Sequence, residues 1–447
     1  MANSKDRSTP LPPQLNNLLL ELPENHLRQW GSWFLAISIP ALSRDWVRVL
    51  GPIHKDDFYC SLAGFLEDNM MTDATLASSR TYCLEIAIQL QPKLLKAWVN
   101  LGDSYVTRYI NDGILDLLNH AIVVYRHALE LCPKDGSHYT CMYGLAGALW
   151  QRYQRTKLMV DLNEAILIRR EILSLHPAPH PDRSSSLKAL GLPLSARFEM
   201  TGSMADLEEA TLILRESLSL CPTPHRDRPI LLNSLGNLLH ARSETTGSMI
   251  ELEEEAIIIL RESLSLRSRT HTGRFATLNN LASALCDRFD LTGTMTDLQE
   301  AILLFRESLS LCPKSHAYYS RTLYNLAISL QKHFRKTGSM TNLEEAILLL
   351  LFSLSFRPTS HPDRFESLHG LSCALWDRFE KTGLMTDLEK AISMVHEALS
   401  LDPPAVHRLL ALETLAGSLD ARFQANGSQS DFEEAISLRQ EIFAMSK

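Results

Sequence analysis

A leucine followed by a small residue recurs along the chain at Leu101, Leu145, Leu190, Leu235, Leu281, Leu326, Leu371 and Leu415, each 44 to 46 residues after the one before. Around each anchor, apolar residues return at helical spacing. In the seventh unit Leu368, Leu371, Ser372 and Leu375 form one stripe, which predicts an amphipathic helix. Gly383, after Lys381-Thr382, suits the left-handed residue that ends such a helix. Thr386-Asp387-Leu388-Glu389 then reads as a capping box, so a second helix is expected to start near Thr386. It carries Leu388, Ala391, Ile392, Val395, Ala398 and Leu399 and stops before Pro403-Pro404. The punctuation repeats: glycine stands in seven of eight loops (Gly113, Gly202, Gly247, Gly293, Gly338, Gly383, Gly427), Lys157 being the exception, and further capping boxes pair Thr296 with Gln299, Thr341 with Glu344 and Ser430 with Glu433. A lone hairpin cannot bury its stripe, so the units must stack; the period predicts an all-α solenoid of stacked antiparallel helix hairpins.

The units also carry a resemblance. Trp98-x2-Leu101-Gly102-x2-Tyr105, followed by Ala121-x3-Tyr125-x2-Ala128-x4-Pro133, is similar to the tetratricopeptide pattern, and Ala301, Phe305, Ser308 and Pro313 repeat its second half. The resemblance covers roughly residues 94–447 and implies a right-handed superhelix, TPR-like, whose first helices line a concave groove. One feature departs from it: the tetratricopeptide period is about 34 residues, against about 45 here. With their "RF-x2-TG" and "DLEEAI" phrases (Arg378-Phe379 to Gly383; Asp387 to Ile392), the units resemble long-period arrays of mushroom-forming fungi, which often precede a caspase-like CHAT protease domain. The sequence runs to the end of its eighth unit, so no such domain is expected here.

The expected organisation is a disordered segment over residues 1–14, N-terminal helices with a degenerate capping repeat over 15–92, and eight repeats over 93–447. Leu62-Ala63, Leu66, Leu84, Ala87 and Pro92 mark the degenerate unit. Pro193, inside the first helix of the third unit, removes a backbone hydrogen bond and is expected to kink it. At the other end Ile442, Phe443 and Met445 close the last helix without a polar cap, which suits a partner, a dimer contact or a truncated gene.

Charge and cysteine usage exclude several classes. The net charge of -8 comes from 44 basic and 52 acidic residues mixed along the chain, leaving no basic footprint for nucleic acid and no polybasic membrane patch. The eight cysteines form no CxxC pair, and Cys132, Cys221 and Cys312 stand at one repeat position before a proline, so a reduced, cytoplasmic setting is expected. The most apolar early segment, Trp33 to Ile39, is too short to span a bilayer.

Two arginine ladders flank the packing stripe. Arg108, Arg152, Arg197, Arg242, Arg288, Arg378 and Arg422 stand seven residues after the anchor, with His333 in the sixth unit; Arg183, Arg228, Arg274, Arg364 and Arg408 stand seven before it. Their position favours bridging to acidic residues that open the second helix, such as Asp297, Asp387, Glu300 or Glu434, over a basic rail.

Opposite the stripe, the resemblance places the groove floor. The candidate peptide- or partner-binding residues there are Asn233, Asn237, His240, Asn279, Asn280, Tyr324, Asn325 and Gln331, with Trp150 and Trp376 as apolar anchors. A side-chain amide offers both donor and acceptor to a peptide backbone, and asparagine is a poor choice for a helix on propensity alone. Similar asparagine ladders hold extended peptides in the arrays of kinesin light chains and the O-linked N-acetylglucosamine transferase.

No P-loop, dinucleotide-binding glycine motif, G-x-S-x-G elbow or HExxH is present. His176 and His180 fall in a Pro-rich loop, where helix geometry does not converge them on a metal. The expectation is therefore a non-enzymatic scaffold without cofactor, metal or catalytic residues, binding a protein or peptide. The alternative is a regulatory or sensor array of a CHAT-type system that has lost its effector domain or acts on it in trans.

Overall fold

The computed structural model describes residues 81, 84, 85, 88, 92–133, 136–245, 249–361 and 363–445. The segment 1–14, most of 15–92 and the Gly247 loop position lie outside them. Within the degenerate unit, Leu84 is helical and fully buried.

Sixteen complete helices lie among the described residues, and all are α. They alternate as first and second helices of hairpins: α1 (Leu95–Asp112) with α2 (Leu115–Leu131), α3 (Gly136–Thr156) with α4 (Met159–Ser174), and α5 (Arg183–Thr201) with α6 (Met204–Ser219). There follow α7 (Arg228–Thr245) with α8 (Met249–Ser265), α9 (Arg274–Thr292) with α10 (Met295–Leu311), α11 (Ala317–Thr337) with α12 (Met340–Ser355), α13 (Arg364–Thr382) with α14 (Met385–Ser400), and α15 (Ala405–Asn426) with α16 (Gln429–Met445). The chain divides into two compact units, up to Ser217 and from Leu218. In each, a second helix packs on the next first helix; consecutive first helices touch throughout the second compact unit, and α1 touches α3 in the first. The fold is an all-α array of stacked hairpins.

The anchor leucines do what their spacing implies: none of the eight is more than 4% exposed. In the compact unit from Leu218, Leu281, Leu285, Phe289, Leu298, Ala301, Phe305 and Leu326 join one core that runs from α8 to α14. Burying side chains of this size contributes roughly 1.5–3 kcal/mol each.

The loop inside each hairpin explains the "RF-x2-TG … D" phrase. The arginine seven residues after the anchor forks onto an aspartate nine residues later, in the first turn of the second helix. Arg152–Asp161, Arg197–Asp206, Arg288–Asp297, Arg378–Asp387 and Arg422–Asp431 all make two N–H···O contacts of 2.6–2.8 Å. The carboxylate also faces the positive end of its helix. The threonine before the glycine then ties the turn: the Thr292 hydroxyl donates to the Arg288 carbonyl at 2.8 Å and accepts from the Thr294 N–H at 3.2 Å. Six of the loop glycines have φ between 66° and 74°, and Lys157 takes the same left-handed turn with φ 59°.

The capping-box expectation is corrected here. The second helices start one residue earlier, at Met295, Met340, Met385 and Gln429, so Thr296, Thr341, Thr386 and Ser430 lie inside the first turn. Thr294 and Ser339, at the cap positions, make no side-chain capping bond. The arginine-bound aspartate and the threonine staple organise the turn instead. In the sixth unit the pair is His333 with Asn342, 2.7 Å apart.

The other arginine ladder closes the opposite end of five hairpins. Arg183, Arg228, Arg274, Arg364 and Arg408 reach Glu216, Glu262, Glu307, Glu397 and Glu441 at 2.5–3.0 Å. The first four also donate to a carbonyl seven residues back, pinning the loop that enters the helix. Glu300 takes a different partner from the one expected: it receives Arg261 of the preceding second helix. The same link joins Arg126 to Glu164, Arg170 to Glu209 and Arg306 to Glu345 at 2.6–2.8 Å. Being exposed, each contributes about 1 kcal/mol or less.

Helix α5 continues through Pro193 from Arg183 to Thr201. The ring leaves the Ala189 carbonyl, four residues back, without its helical donor. Arg169 of α4 supplies one, through Nη1.

Candidate functional site

The candidate residues on the first helices of the second unit form rungs between neighbouring hairpins. Asn280 on α9 donates through Nδ2 to Asn233 Oδ1 on α7 at 3.4 Å. Thr322 on α11 donates to Asn279 Oδ1 at 3.0 Å, and Asn325 Nδ2 reaches Ser283 Oγ at 3.4 Å. Gln331 Nε2 donates to Asp377 Oδ2 on α13 at 2.6 Å, and Arg335 binds the same carboxylate at 2.9 Å. Asn279, Asn280 and Gln331 are buried, whereas Asn233, Asn237, Tyr324 and Asn325 are half-buried. The first helices thus share a polar seam, with the half-buried amides at its open side.

His240 lies between two carboxylates: Nδ1 is 2.8 Å from Glu253 Oε1, and Nε2 is 3.4 Å from Asp287 Oδ2. Glu253 stands three residues before Ala256 of the fourth repeat, where other repeats have a buried leucine such as Leu298 or Leu388; it is 1% exposed and also accepts from Ser243. Tyr324 packs beneath the Arg357 guanidinium, 5.4 Å from its ring centre, and burial raises its pKa. Trp376 packs against Phe379 at the edge of the apolar core around Leu388 and Leu415. Trp150 lies in the compact unit that ends at Ser217, stacked on Tyr153 at 5.6 Å with Arg169 over its ring at 5.8 Å. The structure therefore groups the amides and Tyr324 on α7, α9 and α11, and puts Trp150 in separate surroundings.

The histidine loop brings together the two rings that helix geometry was expected to keep apart. His176 and His180 stack with ring centres 4.1 Å apart and an 11° tilt, and His176 Nδ1 meets Ser186 Oγ at 2.7 Å. Together with Asp182 the two histidines each offer a ligand atom, all within 4.8 Å of one another.

Two residues escaped the sequence reading. Asp377 is buried and gathers Gln331 and Arg335; nothing in its motif marks it. Arg169 did carry a signal: it stands four residues after the second-helix alanine, where six other repeats have Tyr125, Leu214, Leu260, Phe305, Leu350 and Val395, and only the last shares an arginine, Arg439.

Residues 275–317, from the first turn of α9 to the start of α11, match the family model for the tetratricopeptide repeat. The repeated hairpin is of the tetratricopeptide type. No curated protein matches the chain. Among solved structures, a monomeric IFIT1 mutant with Gppp-AAAA is similar at TM-score 0.45 and 15% identity, covering 86% of this chain and 71% of that one. A Podospora anserina protein described as a kinesin light chain with nearly identical TPR-like repeats gives 0.35 and 19%, over 48% of this chain and 96% of its own. MamA gives 0.31 and 19%, over 46% and 94%. Among the described residues, no helix is long and apolar enough to cross a membrane.

Proposed function

We propose that the array is a non-enzymatic, cytoplasmic interaction scaffold, and that the open side of the α7–α9–α11 seam takes an extended segment of a partner protein. Tetratricopeptide repeats in general serve protein–protein interaction. The observation that carries the finer reading is the geometry of the amide rungs. Asn280 to Asn233 and Asn325 to Ser283 are both 3.4 Å, beyond the usual N–H···O range, so these amides exchange a weak mutual contact for a stronger one to a peptide unit. Half-buried Asn237 and Tyr324 extend the same surface.

The test is selection of peptides from a displayed random library by the wild-type chain and by the Asn233→Ala/Asn325→Ala variant. Both residues are half-buried, so melting is expected to stay unchanged. Loss of the selected peptides at unchanged melting supports the reading; retention of all of them overturns it.

A further inference from the structure

A cavity of about 330 Å³ opens in the first unit among α1, α3, α4 and α5. Asp103, Tyr143, Trp150, Gln151, Arg169 and Ser186 stand in its wall. Arg169 is 9% exposed and occupies a position that is apolar in the six other interior units. Two of its five donors are spent on carbonyls, those of Ala189 and, at 3.4 Å, Ala146. No carboxylate among the described residues pairs with it. Carbonyl dipoles satisfy donors without neutralising the charge, and a buried cation lacking a counterion is costly. Burial lowers its pKa to about 10, still far above neutrality, so the charge persists.

Three neighbours narrow what would answer that charge. Asp103, engaged by the Tyr125 hydroxyl, already puts one carboxylate in the wall, which disfavours a dianion such as phosphate. Gln151 Oε1 is buried without a hydrogen-bond partner and calls for an N–H donor. The Trp150 ring, half-buried beside the guanidinium, offers an apolar wall. A planar monoanion, an adjacent N–H and an apolar side chain together describe an acylated amino acid.

We propose that this cavity binds the carboxylate of an acylated amino acid, either free or as the C-terminal residue of a peptide. Arg169 forks onto the carboxylate, Gln151 Oε1 accepts from the acyl-amide N–H, and Trp150 covers the side chain. The peptide form rests on the scaffold reading; the free form does not. The cavity and the asparagine seam lie in different units, so either assignment can fail without the other.

The experiment is calorimetric titration of the full chain with N-acetylphenylalanine, its amide, and the peptide acetyl-Gly-Ser-Gly-Ser-Phe with a free C terminus, together with the Trp150 indole signal assigned through Trp150→Phe. The free acid is expected to bind at least about tenfold more tightly than the amide and to shift that signal. Arg169→Gln keeps an N–H for the Ala189 carbonyl but removes the charge, so it should lose about tenfold at retained fold. Gln151→Leu, which leaves Arg169 in place, should weaken the acid by a smaller factor. Binding of the acid but not the peptide assigns a free metabolite-type ligand; binding of both assigns a chain terminus. Equal binding of acid and amide, unchanged binding by Arg169→Gln, or no binding of any probe at millimolar concentration overturns the proposal.

Discussion

Arg169 donates to the carbonyl of Ala189 that Pro193 deprives of its helical partner. Two departures from the repeat consensus, a charged residue at a core position and a proline inside a helix, therefore compensate each other. A double-mutant cycle reads this directly. Arg169→Leu strands the Ala189 carbonyl when Pro193 is present but not in Pro193→Ala, whose N–H restores the helical bond. The expected coupling is about 1–3 kcal/mol, measured by urea unfolding; additive effects would refute the link.

Arg378→Ala leaves Asp387, 2% exposed, facing the core edge without its two charged donors. A loss of about 3 kcal/mol is expected, and the Arg378→Ala/Asp387→Ala double variant should recover part of it. Chemical denaturation of the three proteins decides. A double variant less stable than Arg378→Ala would mean that the aspartate is held by something else.

The hydrogen bonds from Arg422 hold the Asp431 carboxyl below its ordinary pKa. A depressed folded-state value gives stability that is present above the unfolded pKa of about 3.9 and is lost as pH falls through the folded value. The urea midpoint of the wild type should thus drop below about pH 4, and Asp431→Asn should flatten that part of the profile. Identical slopes for the two proteins would exclude a contribution from this pair.

Lys157 adopts a φ of 59° where the seven other repeats have glycine, six of them described with the same left-handed turn. Lys157→Gly is expected to raise stability by about 1 kcal/mol, because the left-handed conformation costs a Cβ-bearing residue more than it costs glycine. The converse, Gly293→Lys, meets no neighbouring atom within 4 Å at its Cβ and should lose a similar amount through the backbone alone. Thermal melts of both suffice.

The hairpins, their loops and the forks onto the aspartates that open the second helices were legible from spacing, because each rests on contacts within one period of the repeat; the partners of the Arg183, Arg228, Arg274, Arg364 and Arg408 ladder, glutamates near the end of the second helix, were not. The starts of the second helices were not. Thr296 and Thr386 fit a capping box as well as any first-turn residue, and only the Arg288–Asp297 and Arg378–Asp387 forks show that the turn is closed another way. The amides were legible as a row along one side of the first helices. That Asn279 and Gln331 are buried against Thr322 and Asp377 depends on how closely one first helix approaches the next, which no single helix records.

The two kinds of ion pair differ in how they constrain change. An arginine–aspartate fork is closed within ten residues, so both partners are copied, lost or altered together when a unit is duplicated, and His333 with Asn342 is one such private variant. A link such as Arg261 to Glu300 requires whatever unit comes next to present the same acid. Repeats joined this way are interchangeable parts: the array can lengthen or shorten by whole units while each boundary finds the partner it needs.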